Sequence, residues 1–221
     1  MKKIFLFLLI LIMFSCKSTF AEYTGNNYYF EKPQPVDEFE LDKIPNKFQG
    51  IFMNTDSLFL NIKPTVILSE HFKKFKIHKN ETDSLKLDFD YLNGTYISKV
   101  NHVVFQTNKI GDSIELFKKE VDTLFKLSNS QKVKQINGSL ILNSNDLIYW
   151  KIKILSLEKN KLKIKNIYSE EDLKKIDLVT KKKSEMIDST SYIIRPTRKE
   201  FKSILSLKEL GDEQQFKKVG K

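Results

Sequence analysis

The stretch that decides the fold is residues 133–167, VKQINGSLILNSNDLIYWKIKILSLEKNKLKIKNI. Residues 133–142 and 147–157 are rich in β-branched, aromatic and other apolar side chains, which suit the pleated surface of a sheet. Residues 158–160 form a polar turn, and residues 162–167 then begin a new alternation of apolar and lysine side chains. A period of two between tight turns predicts antiparallel strands that follow one another as a meander.

Segments upstream of this stretch carry the same pattern. Residues 48–53 and 58–62 flank a turn-forming tetrad and predict a hairpin. Residues 85–91 alternate Leu, Phe and Tyr with Lys and Asp, which predicts a half-buried strand. Residues 95–105 predict a long strand or a hairpin bent near Asn101.

Three glycines are evenly spaced along the chain. Gly50, Gly94 and Gly138 each lie in the pattern apolar, amide, Gly, any residue, apolar, and they are 44 residues apart. The spacing predicts three β-meander repeats of about 44 residues, with chance as the alternative explanation. Three units are too few for a closed propeller, which usually needs at least four blades. A rolled sheet or an open barrel is therefore the expected architecture.

The C-terminal part of the chain carries helix signals. Ser169 with Asp172, and Thr197 with Glu200, have the spacing of capping boxes and predict two short helices. Residues 212–219 predict a final helical turn packed on the sheet. The sequence thus predicts a mainly β fold of antiparallel strands with short C-terminal helices.

The first sixteen residues have the order of an export signal. Lys2 and Lys3 precede an apolar run over residues 4–14, which is too short to span a bilayer stably and is followed by Ser15 and Cys16. The segment from Met13 to Cys16 resembles the lipobox of bacterial lipoproteins, although Met13 and Phe14 stand where such boxes usually carry Leu and a small residue.

The resemblance covers residues 1–16 alone, and it implies cleavage before Cys16 followed by acylation of that cysteine. Two acyl chains would anchor the protein stably to a membrane. Alternatives are an ordinary signal peptide cleaved after Ala21 and an uncleaved apolar tail. The body of the chain resembles no characterised family.

The expected organisation has three parts. Residues 1–15 are a signal peptide, residues 16–44 a lipid-anchored tether, and residues 45–221 a single β-rich domain that ends in the short helices. Residues 39–41 alternate and predict a short edge strand within the tether. Because Lys17 and Ser18 follow Cys16 with no Asp among them, we expect the outer membrane rather than the inner membrane.

The formal net charge of the protein is +10. A basic body favours anionic lipid headgroups, lipopolysaccharide or other polyanions, and a merely solvated lysine-rich surface is the alternative. Nucleic acid is not an expected partner, because the only arginines are Arg195 and Arg198 and bidentate base contacts depend on Arg. With Cys16 as the single cysteine, the chain forms no intramolecular disulfide.

No sequence motif points to catalysis, a cofactor or a bound metal. His71, His78 and His102 are the only histidines, and their spacing suggests no zinc site, so we expect all three at the surface. No serine lies in a Gly-x-Ser-x-Gly elbow. Asp88 and Asp90 share one face of the predicted strand, and their apolar neighbours indicate that this is its solvated face. We predict that the protein is not an enzyme.

Three functional hypotheses follow. The first is an envelope lipoprotein that holds the membrane through acyl chains and acts as a binding or scaffolding module for a protein partner. The second is a carrier of a lipid or other hydrophobic ligand in a half-open β-barrel, with an apolar cavity lined by Phe52, Phe89, Tyr96 and Trp150. The third is an envelope hydrolase whose site is not visible in the sequence. A scaffold needs an exposed apolar or edge-strand patch, a carrier an enclosed cavity, and an enzyme converging titratable side chains.

Overall fold

A computed structural model describes residues 25–220, so Cys16 and the predicted signal lie outside the described residues. Within this range the chain forms sixteen strands, which are β1 (Asn27–Phe30), β2 (Glu40–Leu41), β3 (Gly50–Met53), β4 (Phe59–Ile62), β5 (Val66–His78), β6 (Phe89–Leu92), β7 (Thr95–Ser98), β8 (Val104–Ile110), β9 (Ser113–Lys126), β10 (Gln131–Ile136), β11 (Ser139–Asp146), β12 (Tyr149–Glu158), β13 (Lys161–Asn166), β14 (Glu185–Asp188), β15 (Ser191–Ile194) and β16 (Asp212–Gly220). The helices of the same range are α1 (Thr82–Asp88), α2 (Glu170–Val179) and α3 (Arg198–Leu205), with 3₁₀ turns at Asn46–Phe48 and Lys79–Glu81.

All strands belong to one open sheet, which confirms the predicted mainly β, antiparallel fold. The strand order is β14-β15-β1-β12-β13-β16-β3-β4-β5-β9-β8-β7-β6, and β11, β10 and β2 branch from β12. Among the described strands, only β1 and β15 pair in parallel. The order does not close on itself, so the sheet is rolled rather than a complete barrel.

The sheet rolls around one large core and carries a second core on its outer side. The first core combines side chains from β3, β4, β10, β11, β12, β13 and β16. The second lies between the other face of β11 and β12 and the pair of helices α2 and α3. Leu140 and Leu142 point into the first core and Ile141 points into the second. Burial on both faces explains why this strand is apolar without alternation.

Both predicted capping boxes are present. Ser169 caps α2 with Asp172, and Thr197 caps α3 with Glu200. Asp172 is 3% exposed, and its second carboxylate oxygen accepts the Gly211 amide at 2.7 Å. This bond ties the start of α2 to the chain that enters β16, which links the helices to the sheet.

The prediction of a final helical turn over residues 212–219 is wrong, because these residues form strand β16. The strand lies between β13 and β3, with Phe216 opposite Leu162 in the first core and Gln215 and Lys217 exposed. Pairing on both edges and burial of alternate residues favour the strand over the local helix signal, because tertiary contacts override weak propensities.

The prediction of one strand over residues 85–91 is also wrong in its first half. Residues up to Asp88 form α1, and only β6 is extended. Ser84 donates a side-chain hydrogen bond to the Glu81 carbonyl at 2.6 Å and supports the first turn of the helix. Leu85 is 7% exposed and Leu87 is 80% exposed, because positions i and i+2 lie on different sides of a helix.

The fold begins before residue 45, so the later part of the predicted tether is part of the sheet. β1 pairs with β12 and β15, and Tyr28 and Phe30 fill the second core. Gln34 is buried and exchanges hydrogen bonds with the side chain of Asn143 at 2.6 and 2.8 Å. The composition of this segment is that of a linker, but Tyr28, Phe30 and Ile44 lie in the two cores. The predicted short strand is confirmed as β2, which pairs with β10.

The evenly spaced glycines have two different roles. Gly94 and Gly138 follow Asn93 and Asn137 in two-residue turns where both positions have φ between 48° and 82°, as a type I′ hairpin requires. Gly50 instead begins β3, and a Cβ there would lie 2.8 Å from the Gly220 carbonyl oxygen. Each glycine is followed by three antiparallel strands. Only Gly94 and Gly138 lie in the same kind of hairpin turn, and Gly50 does not.

Candidate binding surface

One part of the sheet extends beyond the rest, and we call residues 71–121 the arm and the remaining described residues the body. β4 pairs with β5 only as far as Glu70, so from His71 to His78 the only partner of β5 is β9. β8, β7 and β6 continue the sheet from the far edge of β9, and α1 packs on one of its faces. The arm is therefore joined to the body by two strands that run through both.

The inner face of the arm is held by an aromatic cluster. Leu85, Tyr96, Phe105 and Leu116 are its buried residues. The Phe105 ring centroid lies 5.2 Å from that of Phe75 and 5.8 Å from that of Phe89, in edge-to-face arrangements. Such pairs add about 0.5–1.5 kcal/mol each beyond the burial of area. This small core fixes the twist and register of the arm.

The outer face of the arm and the adjoining end of β4 carry six apolar side chains that we call the apolar band. Across the strands its members are Phe59, Phe72, Phe117, Val104, Ile97 and Leu92. The ring centroids of Phe59 and Phe72 are 6.3 Å apart, and those of Phe72 and Phe117 are 6.4 Å apart. Phe72, Val104 and Leu92 are 41%, 51% and 58% exposed, so the band faces solvent.

The charges beside the apolar band are arranged with amines outward and carboxylates sheltered. Lys119 pairs with Glu70 at 2.5 Å, and Lys74 lies 3.9 Å from Glu115. The lysine side chains are 47% and 54% exposed, but those of Glu70 and Glu115 are only 13% and 19% exposed. Burial alone would raise the pKa of Glu70. Hydrogen bonds from Lys119 and Asn61 together have the larger effect, so the pKa of Glu70 is lowered. A partner would meet the exposed amines of Lys74 and Lys119 beside the phenylalanine rings of the band.

No family model, curated protein or solved structure matches this chain. Among residues 25–220, none of the helices has the length and apolar character needed to cross a membrane.

A polar cluster lies where the arm meets the body. His71 is 6% exposed, and its Nε2 lies 2.9 Å from a carboxylate oxygen of Glu120, whose other oxygen lies 2.6 Å from the Lys118 amine. The hydrogen bond from Lys118 is the main cause that lowers the pKa of Glu120, with a smaller contribution from His71. The expectation of surface histidines is wrong for His71, because β5 turns this side chain inward, and it is confirmed for His78 and His102.

The predicted carboxylate pair is not a pair in the structure. Asp88 ends α1 and Asp90 lies in β6, so they do not share one strand face. Both are exposed, and Asp90 lies 3.7 Å from the Lys99 amine. Within residues 25–220, no group of three or more His, Cys, Asp or Glu side chains is placed to hold a metal ion.

The residues expected to line one carrier cavity lie in three separate places. Phe52 belongs to the first core and Trp150 packs against the second, while Phe89 and Tyr96 belong to the arm. Trp150 lies on the opposite face of β12 from Leu155, which shares the first core with Phe52, and β6 and β7 stand at the far end of the strand order.

Both arginines tie the N-terminal segment to the body. Arg195 bridges Glu31 at 3.0 Å and Glu185 at 2.6 Å, and Arg198 pairs with Glu38. Arg195 borders a groove of about 270 Å³ that Gln34 and Thr197 also line. Since two carboxylates already engage the guanidinium of Arg195, this residue offers an anion in the groove little free positive charge.

Lys153 is partly buried in the sheet, a position that was not predicted from the sequence. Lys153 lies on the inner face of β12, and its amine donates to the Asn166 side-chain oxygen at 2.8 Å. Burial lowers the pKa of Lys153. The alternation of residues 149–157 places Lys153 in step with Leu155, which was the available signal that it points inward.

Proposed function

We propose that this protein is a membrane-anchored lipoprotein of the bacterial cell envelope that acts as a binding or scaffolding module. The order of charge, apolar run and Cys16 in residues 1–16 supports the anchor. The apolar band supports the binding role, and it is the observation on which the proposal rests. Scattered exposed apolar residues are ordinary, but aromatic rings that contact one another on an open sheet face, as those of Phe59, Phe72 and Phe117 do, usually mark an interaction site.

The chemistry of the apolar band indicates the kind of partner. Its aromatic half, Phe59, Phe72 and Phe117, offers a flat surface that a protein partner covers with its own apolar side chains. The exposed amines of Lys74 and Lys119 favour carboxylates at the edge of that partner surface. We infer an envelope protein with an apolar patch and an acidic rim.

Site-specific photo-cross-linking in whole cells tests the binding role. A photoreactive residue at Val104 or at Leu92 is expected to give one protease-sensitive adduct of the same size. The same residue at Leu178, which is 82% exposed on α2 of the body, is the matched control and is expected to give none. Adding Phe72→Asp to the Val104 variant is expected to remove the adduct, because a carboxylate would enter the band opposite an acidic rim.

Two outcomes would count against the arm as the binding surface. One is an equal adduct from Leu178, which would mean that cross-linking follows exposure alone. The other is the absence of any adduct from both arm positions.

The anchor has a separate test. Cells that express a Cys16→Ala variant and are fed labelled fatty acid are expected to yield unlabelled protein that no longer sediments with membranes. Continued labelling and sedimentation of this variant would contradict acylation at Cys16. The cross-linking result for the arm does not depend on this outcome.

A further inference from the structure

A groove of about 330 Å³ lies on the outer surface of the body, beside the turn between β3 and β4. Its floor is apolar, with Met53 and Val219 among its lining residues, and the turn between β3 and β4 forms one wall. Val219 is 52% exposed, so this apolar surface is open to solvent. The volume is at the lower end of the roughly 300–1,000 Å³ typical of small-molecule sites.

Two lysines stand side by side at the rim of this groove. Lys161 on β13 and Lys217 on β16 are direct cross-strand partners, and both line the groove. Like charges placed directly opposite each other on adjacent strands are destabilising. Both side chains are exposed, and neither forms an ion pair or a hydrogen bond with any residue from 25 to 220.

The neighbouring acids are already used by other lysines. Glu158 pairs with Lys163 at 3.0 Å, and Glu213 lies 3.5 Å from Lys163 and 3.4 Å from Lys165. The carboxylate of Asp56 faces the turn between β3 and β4, where it lies 3.5 Å from the Asn54 side-chain nitrogen. The outer face of β13 and β16 is therefore left with two positive charges at one place, next to an apolar floor.

We propose that this groove binds a phosphate group that carries an apolar chain, as in an anionic phospholipid. The amines of Lys161 and Lys217 hold the phosphate, because two adjacent ammonium groups match its charge and donate to its oxygens. Met53 and Val219 cover the first carbons of the chain. The volume fits a headgroup and the start of a chain rather than a whole lipid, so the rest of the lipid stays outside the protein.

Native mass spectrometry of the full chain, released from detergent in the presence of added lipid, tests the proposal. Phosphatidylglycerol is the anionic probe and phosphatidylcholine the zwitterionic one. We expect phosphatidylglycerol adducts to exceed phosphatidylcholine adducts on the unmodified chain. A Lys161→Gln/Lys217→Gln variant is expected to bind phosphatidylglycerol about tenfold more weakly, because two exposed ion pairs together contribute about that much.

The matched control is Lys174→Gln/Lys182→Gln, which removes two exposed lysines elsewhere on the body and is expected to leave the affinity unchanged. Equal losses from the two double variants would overturn the site, because the effect would then follow net charge alone. Lipid held by the acyl chains of the N-terminal anchor would be the same in all variants.

A third variant separates a lipid from a free anion. Val219→Asn is expected to weaken phosphatidylglycerol binding while it leaves competition by inorganic phosphate unchanged. If inorganic phosphate displaces the lipid completely and Val219→Asn has no effect, the site takes a free anion and the amphiphile proposal is overturned. Met53 of the groove is the cross-strand partner of Phe59 of the apolar band, but the substituted residues Lys161, Lys217 and Val219 do not belong to the band. Failure of the lipid site would therefore leave the cross-linking prediction for Val104 and Leu92 unchanged.

Discussion

The arm and the body share strands β5 and β9, yet the two halves of these strands have opposite surroundings. In the body half of β5, alternate residues such as Ile67 and Ser69 are buried between neighbouring elements. In the arm half, no residue from Phe72 to His78 is fully buried. Burial thus depends on which strands and helices flank a segment, even along a single continuous strand.

The cores of the two regions differ in size. Of the described residues, fifteen are buried in the first core of the body and eleven in the second, against four in the arm. Exposed large apolar residues are divided differently, because eight lie in the arm, Phe72, Leu92 and Val104 among them, and seven lie in the larger body. The body contains most of the buried apolar side chains, and the arm exposes more large apolar side chains for its size. This division agrees with the proposed role of the arm as a binding surface. Local stability is expected to follow the same division.

Phe52→Ala is expected to have the largest effect, because it should weaken the whole molecule. Phe52 is fully buried in the first core, and removing such a ring typically costs about 3–5 kcal/mol. Urea denaturation followed by the fluorescence of Trp150 measures the free energy of unfolding. Phe39→Ala is the matched control, since Phe39 is 91% exposed and its removal should change stability by less than about 0.5 kcal/mol. A similar loss from both variants would contradict the assignment of the core.

Phe105→Ala is expected to have a smaller effect that is confined to the arm. The ring lies at the centre of the aromatic cluster, and no other described core contains it. Amide hydrogen exchange should become faster by a large factor in β7 and β8, corresponding to about 3 kcal/mol of local opening energy, while β11 to β13 keep their protection.

Val104→Ala is the control for this prediction, because its half-exposed side chain lies outside the aromatic cluster. If Phe105→Ala accelerated exchange equally in β7 and in β12, the arm and the body would be one cooperative unit.

The parts of the fold that were predictable from sequence are those whose neighbours are close in the chain. Residues 133–167 form consecutive hairpins, so local alternation and turn residues contain most of the information. β16 is different, since its partner β3 lies far away in sequence and residues 212–215 carry a helix signal. The error at Leu85 has a different origin, because an alternation over only a few residues is too short to exclude a helix.

The candidate binding surfaces could be predicted from the sequence less well than the fold. The apolar band needs the register of six strands, and Phe59 and Phe117 meet the same surface only after these strands pair. The lysines at 161 and 217 become neighbours through the pairing of β13 with β16, which the expected helical turn excluded. The one early signal was the mixed character of residues 72–77, where neither face of the strand is cleanly apolar.

Glu120→Gln is expected to have the smallest effect, and it tests how the arm is joined to the body. The pKa of Glu120 is lowered in the folded protein, chiefly by the hydrogen bond from Lys118. A carboxylate with a lowered pKa contributes stability that is present above its ordinary value of about 4.3 and is lost as the pH falls through the folded value. The contribution is expected to stay below about 1 kcal/mol, because the side chain is partly exposed.

Urea titrations followed by the amide NMR signals of β7 and β8 measure this contribution. Between about pH 6 and about pH 3 the unmodified arm should lose more stability than the Glu120→Gln arm, because the variant has no carboxylate to protonate. Asp122→Asn is the matched control, as it removes an exposed carboxylate two residues further along β9 and should keep the acid sensitivity. Equal acid sensitivity in the Glu120→Gln variant would mean that the cluster of His71, Lys118 and Glu120 does not stabilise the joint. In that case the rigidity of the arm would come from the pairing of β5 with β9 and from the aromatic cluster alone.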